Sequence, residues 1–252
     1  MKDFDYTTYG ELIADEYDEF FSEYDPASID LLAELAGGGP ALELGIGTGR
    51  IALPLHERGI PIQGIDTSEA MVAKMKAKPG GAAIEVLMDS FADFKLEQHF
   101  KLIYVVFNTF FALLTQEEQV SCFKRVREHL LDDGVFLIEA FVPDVKRFID
   151  HQTVRIATQT QTSSRLNVSQ HDPVTQNITS QNIILSPEGT RIYPVKLRYA
   201  WPSELDLMAQ LAGLSLRHRW GSWSKDAFTR ESKRHVSVYG VVGTGSPRPI
   251  GQ

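Results

Sequence analysis

Hydrophobic and polar residues alternate along this chain with two periods, one typical of helices and the other of strands. Between residues 41 and 141, short apolar runs predict strands at 41–44, 60–65, 83–88, 102–107 and 134–141. Amphipathic stretches among them predict helices at 48–58, 68–77 and 116–131. Strands that alternate with helices are typical of a parallel sheet covered on both faces, so the pattern predicts a doubly wound, Rossmann-like α/β fold.

The pattern changes on both sides of this region. Residues 9–24 have aromatic and aliphatic side chains at helical spacing with acidic residues between them, which predicts an amphipathic helix or pair of helices, and another helix is expected at 28–35. Residues 153–200 are rich in Thr, Gln, Ser and Asn and contain four short β-type stretches separated by turn signals, which predicts an antiparallel β insertion after strand five.

A helix at 202–212 and strands at 214–220 and 235–242 then complete a mostly parallel sheet of seven strands. The expected organisation is a helical cap (1–36), a Rossmann-like core (37–150 and 201–245), an insertion for acceptor or subunit contacts (151–200) and a tail (246–252). Edge strands of the insertion could pair with a second subunit, so a homodimer is one expectation.

The segment ALELGIGTGR, residues 41–50, points to a cofactor loop. Its apolar start forms a short buried strand, and Gly45, Gly47 and Gly49 then allow positive φ angles and a close approach to a ligand. The helix expected from Thr48 would direct its unpaired N–H groups and its positive dipole end toward that ligand.

The glycine spacing distinguishes between cofactors. A dinucleotide fingerprint is G-x-G-x-x-G, but its third glycine would fall at Arg50, where a long side chain does not suit close packing against the strand. The pattern E-x-G-x-G-x-G, which begins at Glu43, instead resembles the first motif of the class I S-adenosylmethionine-dependent methyltransferases. This resemblance implies S-adenosylmethionine as the cofactor and S-adenosylhomocysteine as the product, with no metal.

Asp66 follows the second predicted strand, beside the glycine loop. A carboxylate at this position can accept hydrogen bonds from both hydroxyls of a ribose, a feature that NAD-dependent proteins share with methyltransferases. Asp66 therefore indicates an adenosine-type ligand without identifying which one. The alternative is an ordinary helix N-cap, for which Thr67 or Ser68 would serve equally well.

Further positions follow from the family resemblance. It implies that Asp89, Ser90 and Phe91, after strand three, hold the adenine, although an ordinary turn would also explain them. It also implies that residues after strand four flank the methionyl end and the acceptor, with Asn108 or Thr109 in contact with either ligand. Glu43 would orient the loop or attract the methionyl ammonium, and Arg50 would pair with the cofactor carboxylate or an acidic neighbour. The full predicted cofactor-binding set is Tyr17, Glu43, Gly45, Ile46, Gly47, Gly49, Arg50, Asp66, Thr67, Met71, Asp89, Ser90, Phe91, Phe107 and Asn108.

The N-terminal segment is similar to that of sugar-amine and glycine-type N-methyltransferases, in which it closes over the cofactor. The similarity makes Tyr17 and Tyr9 candidates for contact with the methionyl group, although core packing would explain both equally well. Tyr17 and Asn108 are the only candidates for a catalytic role, because methyl transfer depends mainly on alignment and exclusion of water. A hydroxyl acceptor would benefit from a base, but none of the histidines has a partner that sequence can assign.

Composition indicates which class of acceptor and which cellular compartment to expect. A net charge of −8 disfavours binding to nucleic acid, so a small-molecule acceptor is expected. No apolar run is long enough to cross a membrane, and the polar, acidic N-terminus does not resemble a signal peptide, which predicts a cytoplasmic protein.

The resulting hypothesis is a methyltransferase that modifies a nitrogen or oxygen of a metabolite, with nitrogen favoured. One alternative is an NAD-dependent oxidoreductase, which Arg50 and the placement of Gly49 disfavour. The other is a non-catalytic S-adenosylmethionine-binding protein that uses the insertion for pairing or regulation.

Overall fold

Two β-sheets and seven α-helices make up the part of the chain that the computed structural model describes, residues 8–243. The strands are β1 (Ala41–Leu44), β2 (Ile62–Asp66), β3 (Glu85–Met88), β4 (Phe100–Val105), β5 (Leu130–Phe141), β6 (Gln152–Gln159), β7 (Ser164–Asp172), β8 (Asn177–Ser186), β9 (Gly189–Arg198), β10 (Leu214–Trp220) and β11 (Arg234–Val241). The helices are α1 (Thr8–Ile13), α2 (Tyr17–Phe21), α3 (Pro26–Ala36), α4 (Ala52–Glu57), α5 (Glu69–Lys76), α6 (Gln116–His129) and α7 (Pro202–Leu211). The predicted tail and the side chain of Tyr9 lie outside the described residues.

The larger sheet has seven strands in the order β10-β11-β5-β4-β1-β2-β3. Strands β5, β4, β1, β2 and β3 are mutually parallel, and β11 runs antiparallel to both of its neighbours. Buried apolar clusters cover both faces of the sheet, one around Phe123 and Tyr239 and the other around Leu32 and Tyr104. The predicted mostly parallel, doubly wound, seven-stranded sheet is confirmed.

The smaller sheet contains β6-β7-β8-β9 in sequence order, with every neighbouring pair antiparallel. It forms after β5, where the antiparallel insertion was predicted. Because side chains alternate between the faces of a strand, its register defines two surfaces. Tyr193, Val195 and Leu197 of β9 lie on the inner face, toward the seven-stranded sheet, and Ile192 and Lys196 lie on the outer face.

The N-terminal helices bridge the two sheets. Glu11 accepts hydrogen bonds from the Ser68 hydroxyl (2.9 Å) and from the Ala70 N–H (3.3 Å) at the start of α5. Glu16 contacts Arg191 and Tyr193 of β9. The segment predicted as one helix or a pair is therefore a pair, and it covers the edge where the two sheets meet.

The helix after the glycine loop differs from its prediction. It begins at Ala52 rather than Thr48 and has only six residues. Gly49 has φ +76°, a left-handed conformation that cannot continue a right-handed helix, so regular structure starts only after it. The predicted start of this helix at Thr48 is therefore wrong, whereas the direction of its N–H groups toward a ligand stays a prediction.

Candidate functional site

A cleft of about 930 Å³, including its solvent-open part, lies at the carboxyl ends of the parallel strands. The glycine loop, Asp66 and the start of α5 form its floor, and α1, α2 and β9 form its roof. Such crevices at the carboxyl ends of strands are the usual ligand sites of open α/β sheets. The cleft is lined by Gly10, Tyr17, Gly45, Gly47, Asp66, Thr67, Ser68, Met71, Ser90, Phe91, Thr109, Ala112, Leu113, Val195, Lys196 and Leu197.

The loop needs glycine for two separate reasons. Gly45, Gly47 and Gly49 all have positive φ angles, of +75°, +54° and +76°. A Cβ atom at Gly45 would also overlap the Thr109 methyl group, and one at Gly49 would lie 2.6 Å from Met75 Cγ. Gly45 and Gly47 line the cleft, whereas Gly49 packs against α5 beneath it.

Asp66 ties the loop to the start of α5. Its Oδ2 accepts the Gly47 N–H at 2.7 Å, and its Oδ1 accepts the Ser68 N–H at 2.9 Å. Burial raises the pKa of Asp66, although these N–H donors oppose the shift. The helix N-cap is Ser68, whose hydroxyl accepts the Met71 N–H at 3.2 Å, so Asp66 is not the capping residue. Each carboxylate oxygen keeps a second lone pair that can face the cleft.

A smaller cavity adjoins the cleft on the side of β1. It shares Tyr17, Gly45, Gly47 and Thr109 with the cleft, and the predicted residues Glu43, Ile46, Arg50 and Phe107 also line it. Glu43 is only 3% exposed and accepts a hydrogen bond from the Tyr104 hydroxyl at 3.0 Å. Burial raises the pKa of Glu43 to about 8, so this carboxyl is mostly protonated at pH 7.

Arg50 connects this cavity to the N-terminal segment. Its Nη1 donates to the carbonyl oxygens of Phe21 (3.3 Å) and Glu23 (3.2 Å), and its guanidinium lies 4.1 Å from the Phe107 ring centroid. Among the described residues, it forms no ion pair with an acidic side chain, and its pairing with the cofactor carboxylate stays a prediction. Arg50 instead anchors the N-terminal segment against the end of β4.

The turn after β4 has an unusual backbone. Phe107 and Asn108 have φ angles of +57° and +65°, which are uncommon for non-glycine residues and are costly for a bulky one. The buried Glu139 carboxylate accepts the Phe107 N–H at 2.7 Å, and Asn108 Oδ1 accepts the Phe141 N–H at 2.7 Å. Asn108 therefore faces β5 and a third cavity, lined by Phe107, Glu139 and Phe141, rather than the cleft. The next residue, Thr109, lies against the glycine loop and lines the cleft.

The predicted adenine-binding residues separate into two groups. Ser90 and Phe91 line the cleft, and Phe91 is 8% exposed. Asp89 is exposed, and its Oδ1 accepts the N–H of Ser90 at 2.7 Å. Its contact with adenine stays a prediction, because the residue is exposed and does not line the cleft.

Several cleft residues were absent from the predicted set. Thr109 was named beside Asn108 as a possible ligand contact but was not in that set, and Ser68 was recognised only as a possible cap. No local signal in the sequence marks Gly10, Ala112, Leu113 or the β9 residues. They reach the cleft because α1 and the second sheet fold back over the loop, and such long-range packing leaves no pattern in the local sequence.

Known proteins show the same architecture. A family profile described as a methyltransferase domain matches residues 41–134. The CcbJ methyltransferase of Streptomyces caelestis has 38% sequence identity, with 94% of this chain and 99% of that one covered and a TM-score of 0.88. The cypemycin N-terminal methyltransferase of a Streptomyces species is 25% identical over 248 residues, covering 93% of this chain and 98% of its own.

A more distant structure shares the fold alone. It is CalS10 with bound S-adenosylmethionine, an amino pentose methyltransferase of Micromonospora echinaspora, with 18% identity, 87% and 94% coverage and a TM-score of 0.65. From the fold, the loop and these similarities, the chain belongs to the class I S-adenosylmethionine-dependent methyltransferases. It is an enzyme whose methyl donor is S-adenosylmethionine, which excludes the oxidoreductase alternative.

The cleft fits this cofactor. The strand end, the positive-φ loop and Asp66 form an open cradle lined by Gly45, Gly47, Met71 and Phe91. Among the described residues, no group of three or more potential metal ligands is close enough to hold a metal ion. No helix in the described chain is long and apolar enough to cross a membrane.

Proposed function

We propose that this enzyme transfers the methyl group of S-adenosylmethionine to an amine nitrogen of a small-molecule acceptor. The observation that carries the proposal is the continuity of the cleft from the glycine loop to β9. In this proposal one end of the space holds the cofactor, and Ala112, Leu113, Val195 and Leu197 border the other end. An enclosed, largely apolar end suits a small acceptor better than a polymer.

We place the cofactor with its adenosine over Asp66, Met71, Ser90 and Phe91 and its methionyl group in the cavity beside Glu43. The ribose would use the free lone pairs of Asp66, and the aromatic ring of Phe91 would pack against adenine. Tyr17 lines both spaces, so it borders the point where the adenosine and methionyl ends meet.

The cofactor supplies a methyl group activated by a positively charged sulfur. The acceptor nitrogen forms a bond to the methyl carbon as the sulfur–carbon bond breaks, and the proton of the new ammonium passes to water. The chain's own residues align the nitrogen and exclude competing water. Thr109 and Tyr17 border this place, and the turn at Phe107 shapes its wall.

Nitrogen is favoured over oxygen because the described cleft residues include no suitable base. The titratable side chains that face the cleft are those of Tyr17 and Asp66, since Lys196 borders the cleft from β9 while its side chain lies on the outer face of the second sheet. Burial raises the pKa of Tyr17, so its hydroxyl remains protonated near neutral pH, and both Asp66 oxygens already accept backbone N–H groups. An amine needs only to be neutral to react, whereas a hydroxyl would need a base. The names of the cypemycin and amino pentose enzymes also fit amine acceptors.

Calorimetric titration with S-adenosylhomocysteine, followed by transfer of labelled methyl to matched amines and alcohols, tests the proposal. We expect product binding, labelled amines but not alcohols, and a kcat/KM that rises with pH as the acceptor amine loses its proton. Product binding with labelled alcohols alone would overturn the assignment to nitrogen. Product binding without turnover of any amine in a broad panel would overturn the assignment to small amine acceptors.

We also propose a homodimer formed through the outer face of the second sheet. Ile156, Leu166, Ile183 and Ile192 lie opposite one another across its four strands, and Ile156 and Ile192 are 64% and 49% exposed. This row carries no charge, although the chain has a net charge of −8, so two copies can approach here with little repulsion. Sedimentation should show a dimer that Ile156→Lys dissociates, and a wild-type monomer at high concentration would refute it.

A further inference from the structure

The inner face of the second sheet carries a band of polar side chains between two apolar clusters. Asn167 lies opposite Asn182, and Ser169 lies opposite Ser180 on the neighbouring strand. The Ser169 hydroxyl is 2.7 Å from both Asn167 Oδ1 and Ser180 Oγ, and Asn167 Nδ2 donates to Asn182 Oδ1 at 3.3 Å. Asn167, Asn182 and Ser180 remain partly exposed, so they keep hydrogen-bonding groups that a ligand could use.

Arg165 extends this band at one end. In β7 it lies two residues before Asn167, on the same face of the sheet, because side chains alternate along a strand. Its guanidinium carbon lies 5.0 Å and 5.1 Å from the ring centroids of Phe20 and Phe21. Within residues 8–243, Arg165 forms no ion pair, and its buried Nε has no hydrogen-bond partner.

Arg165 differs in this respect from the two arginines of β9, which both form ion pairs with glutamates. On the same sheet, Arg191 pairs with Glu16, and Arg198 pairs with Glu204 at 2.8 Å. A planar guanidinium with free N–H groups matches the two oxygens of a carboxylate or phosphate. Stacking on aromatic rings holds that plane in one orientation without satisfying those N–H groups.

Arg165 is close to the proposed reaction centre. Phe21, beneath its guanidinium, lies 5.1 Å from the Tyr17 ring and 5.4 Å from the Phe107 ring, measured between centroids. Tyr17 and Phe107 both line the cavity beside Glu43. An acceptor whose amine lies at Tyr17 could therefore extend toward Arg165 along the roof.

We propose that Arg165 binds an oxyanion on the acceptor, so that the substrate class is an amine that also carries a carboxylate or phosphate. Asn167 and Asn182 would bind the polar groups between the two ends. This inference rests on the proposed amine methylation and adds its specificity-determining residue. The acceptor charge would be recognised on the second sheet, away from the glycine loop that holds the cofactor.

The test uses pairs of probes that differ in the oxyanion alone. The complex of the full chain with S-adenosylhomocysteine is titrated with 4-aminobutyrate or 4-aminobutanamide, and separately with ethanolamine phosphate or ethanolamine. We expect at least one oxyanion-bearing probe to bind about 10- to 100-fold more tightly than its neutral partner, as for a charged hydrogen-bonded pair. The arm that shows the preference identifies the oxyanion as carboxylate or phosphate.

Arg165→Gln should abolish this preference and leave the affinity for S-adenosylhomocysteine unchanged, and Arg165→Lys should keep part of it. Arg230→Gln, which removes a charge whose side chain is 92% exposed and lies between β10 and β11, away from the second sheet, is the control and should behave as wild type. If Arg165 only holds Phe20 and Phe21 in place, Arg165→Gln will weaken both members of a pair equally, which overturns the proposal.

A wild-type protein that does not discriminate within either pair, or binds none of the probes, also overturns the role of Arg165. Methylation of neutral amines would still support the proposed function in that case. Failure of the wild-type protein to bind S-adenosylhomocysteine would refute the proposed function itself, so the two failures are distinguishable.

Discussion

The floor and the roof of the cleft are held together by different forces. The floor, which comprises the glycine loop, Asp66 and the start of α5, depends on backbone hydrogen bonds and on space that only glycine leaves free. The roof, which comprises α1, α2 and β9, depends on side-chain contacts such as Asp18 with Lys78 at 2.6 Å and Glu16 with Arg191. The side chains of Asp18 and Lys78 are 41% and 32% exposed, so solvent weakens their attraction in part.

This difference indicates that the floor positions the cofactor and that the roof controls access to the cleft. A rigid floor can hold the adenosine and methionyl groups in one geometry, because its contacts are short, buried and backbone-based. A roof held by partly exposed charges can open at small cost to admit ligands. Substitutions in the floor should therefore change stability and cofactor affinity strongly, and those in the roof should mainly change access and acceptor affinity.

Gly45→Ala should have the largest effect. The new methyl group would meet Thr109 at a residue with φ +75°, so we expect a loss of about 2–4 kcal/mol in the free energy of unfolding and weak product binding. Gly38→Ala is the control, because Gly38 has φ +80° with open space around it, and it should lose only about 1 kcal/mol. Denaturant titration measures the free energy of unfolding of both variants. Equal losses would show that backbone strain, and not crowding against Thr109, causes the destabilisation of Gly45→Ala.

Asp66→Asn should weaken S-adenosylhomocysteine binding by about 10- to 100-fold. The amide nitrogen of the new asparagine cannot accept the backbone N–H that a carboxylate oxygen accepts in the wild-type protein. Either the Gly47 or the Ser68 N–H would lose its partner. Asp30→Asn, which removes an exposed charge paired with Arg58, is the control. Calorimetry on both variants checks this, and unchanged affinity in folded Asp66→Asn would remove Asp66 from the site.

Thr48→Val tests the roof. The buried Thr48 hydroxyl donates to Asp18 Oδ1 at 2.7 Å, so its loss should destabilise the closed roof by about 1 kcal/mol. We expect faster proteolysis within α1 and α2 and a modest loss of ligand affinity, with the core intact. A global loss of stability as large as that of Gly45→Ala would contradict the separation of floor from roof.

Glu43→Gln should alter pH dependence more than affinity. The folded protein holds the Glu43 proton up to a pH of about 8, because burial raises its pKa from 4.5, whereas the unfolded chain releases it near its ordinary value. Between these values the folded state binds more protons, so stability should fall as pH rises. Glu43→Gln should flatten that decline in denaturant titrations at pH 5, 7 and 9, and an unchanged slope would exclude Glu43 as its source.

Asp15→Asn should have the smallest effect. Asp15 pairs with Lys74 at 2.6 Å, but its side chain is 89% exposed, so water replaces the contact readily. We expect no measurable change in stability or product affinity by the same assays. A clear loss would mean that even the exposed contacts of the roof act cooperatively.

Much of the floor could be predicted because its determinants are local. The alternation of strands and helices, the spacing of Gly45, Gly47 and Gly49, and the position of Asp66 all lie within short segments. The positive φ angles of the glycines and the seven-stranded sheet agree with those predictions. The start of α4 was wrong by four residues, because Gly49 delays the helix beyond the first polar position.

The sequence by itself determined the fold class, the cofactor loop and the polar character of the insertion, since these depend on local periodicity and backbone freedom. Tertiary structure alone decided that Asn108 faces β5, that Thr109 lies against the loop and that Arg165 has no anionic partner. Each of these depends on which side chains meet across residues distant in sequence. Local patterns specify which elements form, whereas packing between distant elements specifies which groups share a cavity.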